Sequence, residues 1–148
     1  MKYLLDTNAI IAIFKGHAGM LERLRRHQPR DFGIPTVVMH ELYFGAYKSM
    51  RRRENITRIE ALQFEALMFS PDDARCSGKI RAMLATQGRP IGPYDVLIAG
   101  QALSRDSVLM TRNSREFERV HGLRLENWEE ECRASDCARR EQHFTFRS

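Results

Sequence analysis

Tyr3-Leu4-Leu5-Asp6-Thr7-Asn8, followed by Ala9-Ile10-Ile11-Ala12-Ile13-Phe14, decides the fold. Three apolar residues stopped by Asp6 make a short strand, and the apolar stretch after it makes a buried helix that Asn8 is placed to cap. Strand, turn and helix in that order open an α/β chain.

The alternation continues outward. An amphipathic helix carrying Leu21 and Leu24 ends near Gln28-Pro29, where proline forbids continuation, and Phe32-Gly33-Ile34-Pro35 is a brief buried strand. Thr36 is placed to cap a helix reaching about Met50. Arg51-Arg52-Arg53 turns into another helix with Ile56, Ile59, Leu62 and Phe64, so the two form a helical hairpin. Ala66-Leu67-Met68-Phe69 reads equally as a helix end or a strand. Ser70-Pro71-Asp72-Asp73 is a helix start, with proline at the first position and acids in the first turn, and that helix should stop near Gly88. A loop with Pro90, Gly92 and Pro93 precedes a helix from Tyr94 to about Ser104. Val108-Leu109-Met110-Thr111 is a second buried strand, a short helix runs from Ser114 to Val120, and a last strand lies around Leu123-Arg124-Leu125. Strands separated by helices predict a three-layer α/β/α fold with a short, mostly parallel central sheet flanked by helices. Ligands then bind at the C-terminal strand ends, where Asp6 and Asn113 fall.

The 148 residues suit one domain, with no need of a disulfide or structural metal. Cys76, Cys132 and Cys137 are odd in number and lack zinc-site spacing, so reduced thiols are expected. No apolar run approaches the roughly 20 residues of a membrane span, and Met1-Lys2 leads into a segment too short for a signal peptide. The expected compartment is the cytoplasm, without membrane attachment. The net charge of +5 comes mostly from arginine, which suits a phosphate-rich partner, although a genome rich in G and C also raises arginine. From about Glu129 the periodic pattern fails, and residues 129–148 read as a mobile extension or a helix outside the core.

Acids stand in unusual places. Glu41 shares a helix face with Val37, Val38 and Gly45, and Asp95 shares one with Ile98, Ala99 and Ala102, so both point inward. Taken singly, Asp6 is a turn residue, Asp95 a helix-start acid and Glu41 half of an ion pair. Taken together with Asn113 and Glu116, they are an excess of inward oxygen ligands without local cations, which would cost several kcal/mol if all ionised. A divalent cation relieves that cost, and an all-oxygen set prefers Mg²⁺ or Mn²⁺. Such an ion beside a basic surface suggests phosphodiester hydrolysis, with no serine, cysteine or histidine nucleophile. The histidines His17, His27, His40, His121 and His143 share no metal spacing and read as surface or capping residues.

Four segments carry a resemblance: Leu4-Leu5-Asp6-Thr7-Asn8, Glu41-Leu42-Tyr43-Phe44-Gly45-Ala46, Gly88-Arg89-Pro90-Ile91-Gly92-Pro93-Tyr94-Asp95 and Thr111-Arg112-Asn113-Ser114-Arg115-Glu116-Phe117. In order and spacing the chain resembles the VapC toxins of the PIN-domain family, over residues 1–128. The resemblance implies a PIN-like nuclease domain over 1–128, a Mg²⁺-dependent endoribonuclease (Mn²⁺ substituting) and the toxin of a type II toxin–antitoxin pair. It implies a VapB-type antitoxin that silences the toxin, DNA contact only through that antitoxin, a homodimer and a higher assembly with the antitoxin. The form of the third motif implies tRNA cut in the anticodon loop, which inhibits translation. Asp6, Glu41 and Asp95 would hold the metal or its waters. The family often has aspartate where this chain has Asn113, so Glu116 is expected to supply the fourth carboxylate and Asn113 to position it. Thr7 and Thr111 would orient water or an acid beside them, turn capping being the alternative. Arg89, Arg112 and Arg115 flank the third and fourth motifs and would meet RNA.

Two other readings are weighed. Loss of the fourth aspartate would suit a catalytically weak PIN domain acting as an RNA-binding module. An aspartate-dependent phosphatase also ends its first strand in aspartate, but Asn8 replaces the second acid of its motif.

Overall fold

The computed structural model describes residues 1–130. Five strands form a wholly parallel sheet in the order β3-β2-β1-β4-β5, from β1 (Tyr3–Leu5), β2 (Phe32–Pro35), β3 (Glu65–Leu67), β4 (Val108–Met110) and β5 (Leu125–Glu126). Helices cover both faces, giving the expected α/β/α layers: α1 (Thr7–Phe14), α2 (Ala18–Leu24), α3 (Thr36–Lys48), α4 (Arg52–Glu60), α5 (Pro71–Thr86), α6 (Pro93–Ser104) and α7 (Ser114–Phe117). β1 and β4 are buried along their whole length, because both of their faces lie under helices and neither can show the alternation of a half-exposed strand.

β1 is central, with β2 on one side and β4 on the other, so chain order reverses there. In such sheets a crevice opens outside the strand ends at the point of reversal. Asp6 ends β1 and its N–H donates to the Met110 carbonyl at the end of β4 at 3.0 Å, which fixes the first and fourth motifs side by side.

Several local expectations change. Asp6, not Asn8, is the N-cap of α1: its carboxylate accepts the Thr7 N–H at 2.8 Å, which leaves the Asn8 amide free for other bonds. Thr36 is the first helical residue of α3 and Pro35 the cap, so the strand runs into the helix without a side-chain cap. α4 stops at Glu60, and Leu62 and Phe64 pack on the core from the link to β3. The ambiguous segment is resolved as a strand whose last residue is Leu67, α7 stops at Phe117 rather than Val120, and the last strand lies at Leu125–Glu126. His27 is neither a surface nor a capping residue: it stacks on Trp128 (5.3 Å between centroids) and meets Tyr3 and Phe32 edge-on. Residues 131–148, with Cys132, Cys137 and most of the expected extension, lie outside the described residues.

The tightest seam is between α5 and α6. A Cβ added to Gly100 would stand 2.6 Å from Ser77 Cα and 2.7 Å from Ser77 N, so only glycine lets the helices approach this closely. At one end of the seam Ser70 and Asp73 form a capping box as the sequence indicates. Asp73 is also fully buried, accepting from Ser104 Oγ and, at 3.0 Å, from Arg105. Gln101 donates to the Leu67 carbonyl at 3.1 Å, pinning the edge strand to α6. α6 is thereby held in place, with Asp95 in its opposite, first turn.

Candidate active site

The first motif supplies the centre. Asp6 is 5 % exposed, and both its oxygens are engaged: Oδ1 by the Thr7 N–H, Oδ2 by Thr111 Oγ1 at 2.8 Å and by Asn8 Nδ2 at 3.1 Å. Burial raises its pKa above the usual aspartate range, and the three donors oppose that rise. Thr7 Oγ1 donates to Glu41 Oε2 at 3.0 Å, tying α1 to α3. Glu41 is half-buried, and its carboxyl is raised by that burial and by the Asp6 charge, against the Thr7 bond and the nearby His40.

The third motif brings in Asp95. Pro93 occupies the first turn of α6 with Gly92 as the cap, and a Cβ on Gly92 would lie 3.0 Å from Asp95 Oδ2. Glycine therefore leaves the carboxylate room. Burial pushes the Asp95 carboxyl up to about 7, aided by a hydrogen bond with Glu116 and by the charges of Asp6, Glu116 and Glu41. Glu116 moves the other way, held low by the Asp95 bond, by Asn113 and by Arg119. The two carboxyls titrate as a pair, the hydrogen bond between them raising Asp95 and lowering Glu116.

Asn113 donates through Nδ2 to Glu116 Oε2 at 3.1 Å, so the amide holds the acid. Glu116 therefore reaches the pocket. The structure thus gathers Asp6, Glu41, Asp95, Asn113 and Glu116 with Thr7 and Thr111. Arg89, Arg112 and Arg115 are all exposed, and Arg112 pairs with Glu129 at 3.8 Å.

Two contributors escaped the sequence reading. Asn8 donates to Asp6 and to Thr111 Oγ1 (3.3 Å) while its Oδ1 accepts the Arg112 N–H at 2.8 Å, joining the first and fourth motifs. Its adjacency to Asp6 was the available signal, but its partners are distant in sequence. Arg119 donates to the Pro90 carbonyl at 2.9 Å, fastening the third-motif loop to the segment after α7, and its charge reaches Glu116.

Among the described residues, none of Asp6, Glu41, Asp95 and Glu116 forms an ion pair with lysine or arginine. Instead the Asp6 charge raises Glu41, and the charges of Asp6, Glu116 and Glu41 raise Asp95, while all four acids offer hard oxygen atoms. That fits a hard divalent cation. No three acidic, histidine or cysteine side chains among the described residues already surround one point. Mg²⁺ does not require that, since it keeps several waters and takes only one or two carboxylates.

The PIN domain family model matches residues 3–123. The chain belongs to the PIN-domain family. Within the family its sequence is 43 % identical to the tRNA(fMet)-specific endonuclease VapC of Shigella flexneri over 131 residues, 86 % of this chain and 98 % of that protein. It is 39 % identical to Ribonuclease VapC2 of Haemophilus influenzae, again over 86 % of this chain and 98 % of the relative. Its fold superposes on the DNA-bound VapBC of Salmonella typhimurium with a TM-score of 0.81 at 40 % identity, covering 86 % of this chain and 98 % of that one. This is a VapC-type PIN domain, as the four motifs indicate.

Proposed function

We propose that this VapC-type PIN domain is a Mg²⁺-dependent endoribonuclease, the toxin of a VapBC pair, and that it cuts tRNA in the anticodon loop and so inhibits translation and growth. The observation that carries the reading is the set of mutually repelling acids drawn from β1, α3, α6 and α7 without an ion-paired cation. Relatives named as ribonucleases and in VapBC complexes support an RNA-hydrolysing toxin. The tRNA(fMet)-specific relative supports tRNA as substrate.

In this reading Asp6, Asp95 and Glu41, with Glu116, hold Mg²⁺ or its waters, with Mn²⁺ as a substitute. Bound there, the ion would neutralise phosphate charge and lower the pKa of a water for in-line attack. The chain's residues do the rest. Thr111 and Asn8 fix the Asp6 carboxylate, Thr7 fixes Glu41, and Asn113 turns Glu116 toward Asp95. The Asp95–Glu116 proton must leave when a cation enters. Arg89, Arg112 and Arg115 receive the RNA backbone, a contact that weakens with salt.

A VapB-type antitoxin would cover the toxin in a larger assembly, reaching DNA through the antitoxin, and a homodimer would form through apolar helix surface where Ile11, Phe44 and Tyr47 stand exposed. Among the described residues no helix is long and apolar enough to cross a membrane, and the cytoplasm is the proposed compartment.

The test uses the full chain freed of its antitoxin, with tRNA, in Mg²⁺ and in EDTA. Cleavage in Mg²⁺ that Asp6→Ala and Asp95→Ala each abolish is the expected result. Equal cleavage by Asp95→Ala would sink the roles assigned.

A further inference from the structure

Tyr94 precedes Asp95 in the first turn of α6, and its side chain stands 49 % exposed. His40 precedes Glu41 on α3 and is also exposed. The two rings meet, with centroids 5.6 Å apart and planes tilted by 56°. Each ring is thus one residue from an acid of the pocket along its helix, and the contact bridges the two helices that supply those acids. A large ring left half in water at this place adds little to the core.

On its other side Tyr94 lines a cleft of about 400 Å³ between α5 and α6, with Phe69, Arg81, Pro93 and Leu97. The cleft is open to solvent, a groove across which a flat ring can lie rather than a cavity that encloses a ligand. The lining combines aromatic faces with one exposed cation, Arg81. This is the combination that takes an unstacked base and its phosphate, since a base presents a π-face to an aromatic ring whatever its identity. A single-stranded loop cut at the acids must place a base beside them.

We propose that Tyr94, with His40 at its edge and Arg81 across the cleft, is a subsite that stacks one unpaired nucleobase of the RNA next to the scissile bond. The assignment rests on the ribonuclease reading and deepens it. Tyr94 supplies the face, and Arg81 meets the following phosphate. The subsite favours loops over duplex, because a paired base cannot reach the ring.

The experiment uses the full-length, antitoxin-free chain and single-stranded RNA oligonucleotides in which 2-aminopurine is walked along the sequence. Binding is followed by fluorescence in EDTA, and cleavage is followed separately in Mg²⁺. Quenching is expected at one register, lost in Tyr94→Ala with binding weakened about ten- to hundred-fold, and retained in Tyr94→Phe. An RNA lacking the base at that register should bind wild type and Tyr94→Ala alike. Arg81→Ala, altering an exposed side chain, should weaken binding several-fold and reduce the salt slope by about one. Quenching and binding unchanged in Tyr94→Ala, or an equal loss on the abasic RNA, overturns the subsite. So does a Tyr94→Ala effect confined to dimerisation or antitoxin affinity, which would make the ring a protein contact. Register-specific quenching without cleavage would refute the ribonuclease reading and keep the subsite. Cleavage that Tyr94→Ala leaves untouched would do the reverse.

Discussion

Each end of α6 meets an aspartate, one fully buried and one half-buried, and the two are treated in opposite ways. At the C-terminal end Asp73 is fully buried, yet Ser104, the Ser70 N–H and Arg105 outweigh the effect of burial and hold its carboxyl below the usual range. At the N-terminal end burial pushes Asp95 up to about 7, and its acidic neighbours add to the rise rather than relieve it. One carboxylate is satisfied by the fold. The other faces acids, Glu116 through a hydrogen bond and Asp6 and Glu41 through their charges. A buried acid thus shows its purpose by its partners more than by its burial.

The sharpest way to break the contrast is to remove each charge in turn. Asp95→Asn should lower kcat/KM for tRNA at least about a thousand-fold, the scale of losing a preorganised electrostatic partner, while leaving the thermal midpoint unchanged or higher because a repelled charge has gone. A fall in the midpoint would show that Asp95 stabilises the fold. Asp73→Ala should do the opposite: about 1–3 kcal/mol of stability lost in urea titration, since the bonds from the Ser70 N–H, Ser104 and Arg105 go with the carboxylate, with cleavage per folded molecule kept. Undiminished stability would remove the contrast.

Gly100→Ala tests the seam that holds α6 between these ends. Its methyl group meets the Ser77 backbone, so a loss of about 1–3 kcal/mol is expected in the same titration. An unchanged urea midpoint would mean that the helices can separate freely.

pH separates the two acids by sign. Asp73 is depressed in the fold, so its contribution is present above its unfolded pKa of about 3.9 and is lost as pH falls through its lower folded value. Asp95 is raised, so the folded state binds the extra proton, and stability falls as pH rises from about 4 through about 7. Urea midpoints measured from about pH 2 to about pH 8 should show both limbs, and Mn²⁺ should cancel only the upper one. An upper limb that Mn²⁺ leaves in place would separate the raised acid from metal binding.

The smallest effect is expected within the pocket. Glu116→Gln should weaken Mn²⁺ binding by calorimetry more than Asn113→Ala does, since only the former removes charge. The reverse order would make Asn113 the ligand.

Much of this was legible along the chain. The helix start at Ser70-Pro71-Asp72-Asp73 and the β1 strand ending at Asp6 depend on residues within a few positions of one another, and sequence spacing displays such interactions directly. Glu41 and Asp95 could be read as inward because helical periodicity ties each to its apolar neighbours. Asn8 was misread as a cap, because its real partners, Thr111 and Arg112, arrive with a different strand. His27 likewise gave no local sign that Tyr3, Phe32 and Trp128 would enclose it.

Sequence by itself determined the strand and helix order, the parallel sheet and the identity of the acids, since these follow from periodicity, capping chemistry and motif spacing. Tertiary structure alone decided which aspartate is neutralised and which is not. A carboxylate's pKa is set by burial and by charges within a few ångströms, and those neighbours come from elements that only folding brings together.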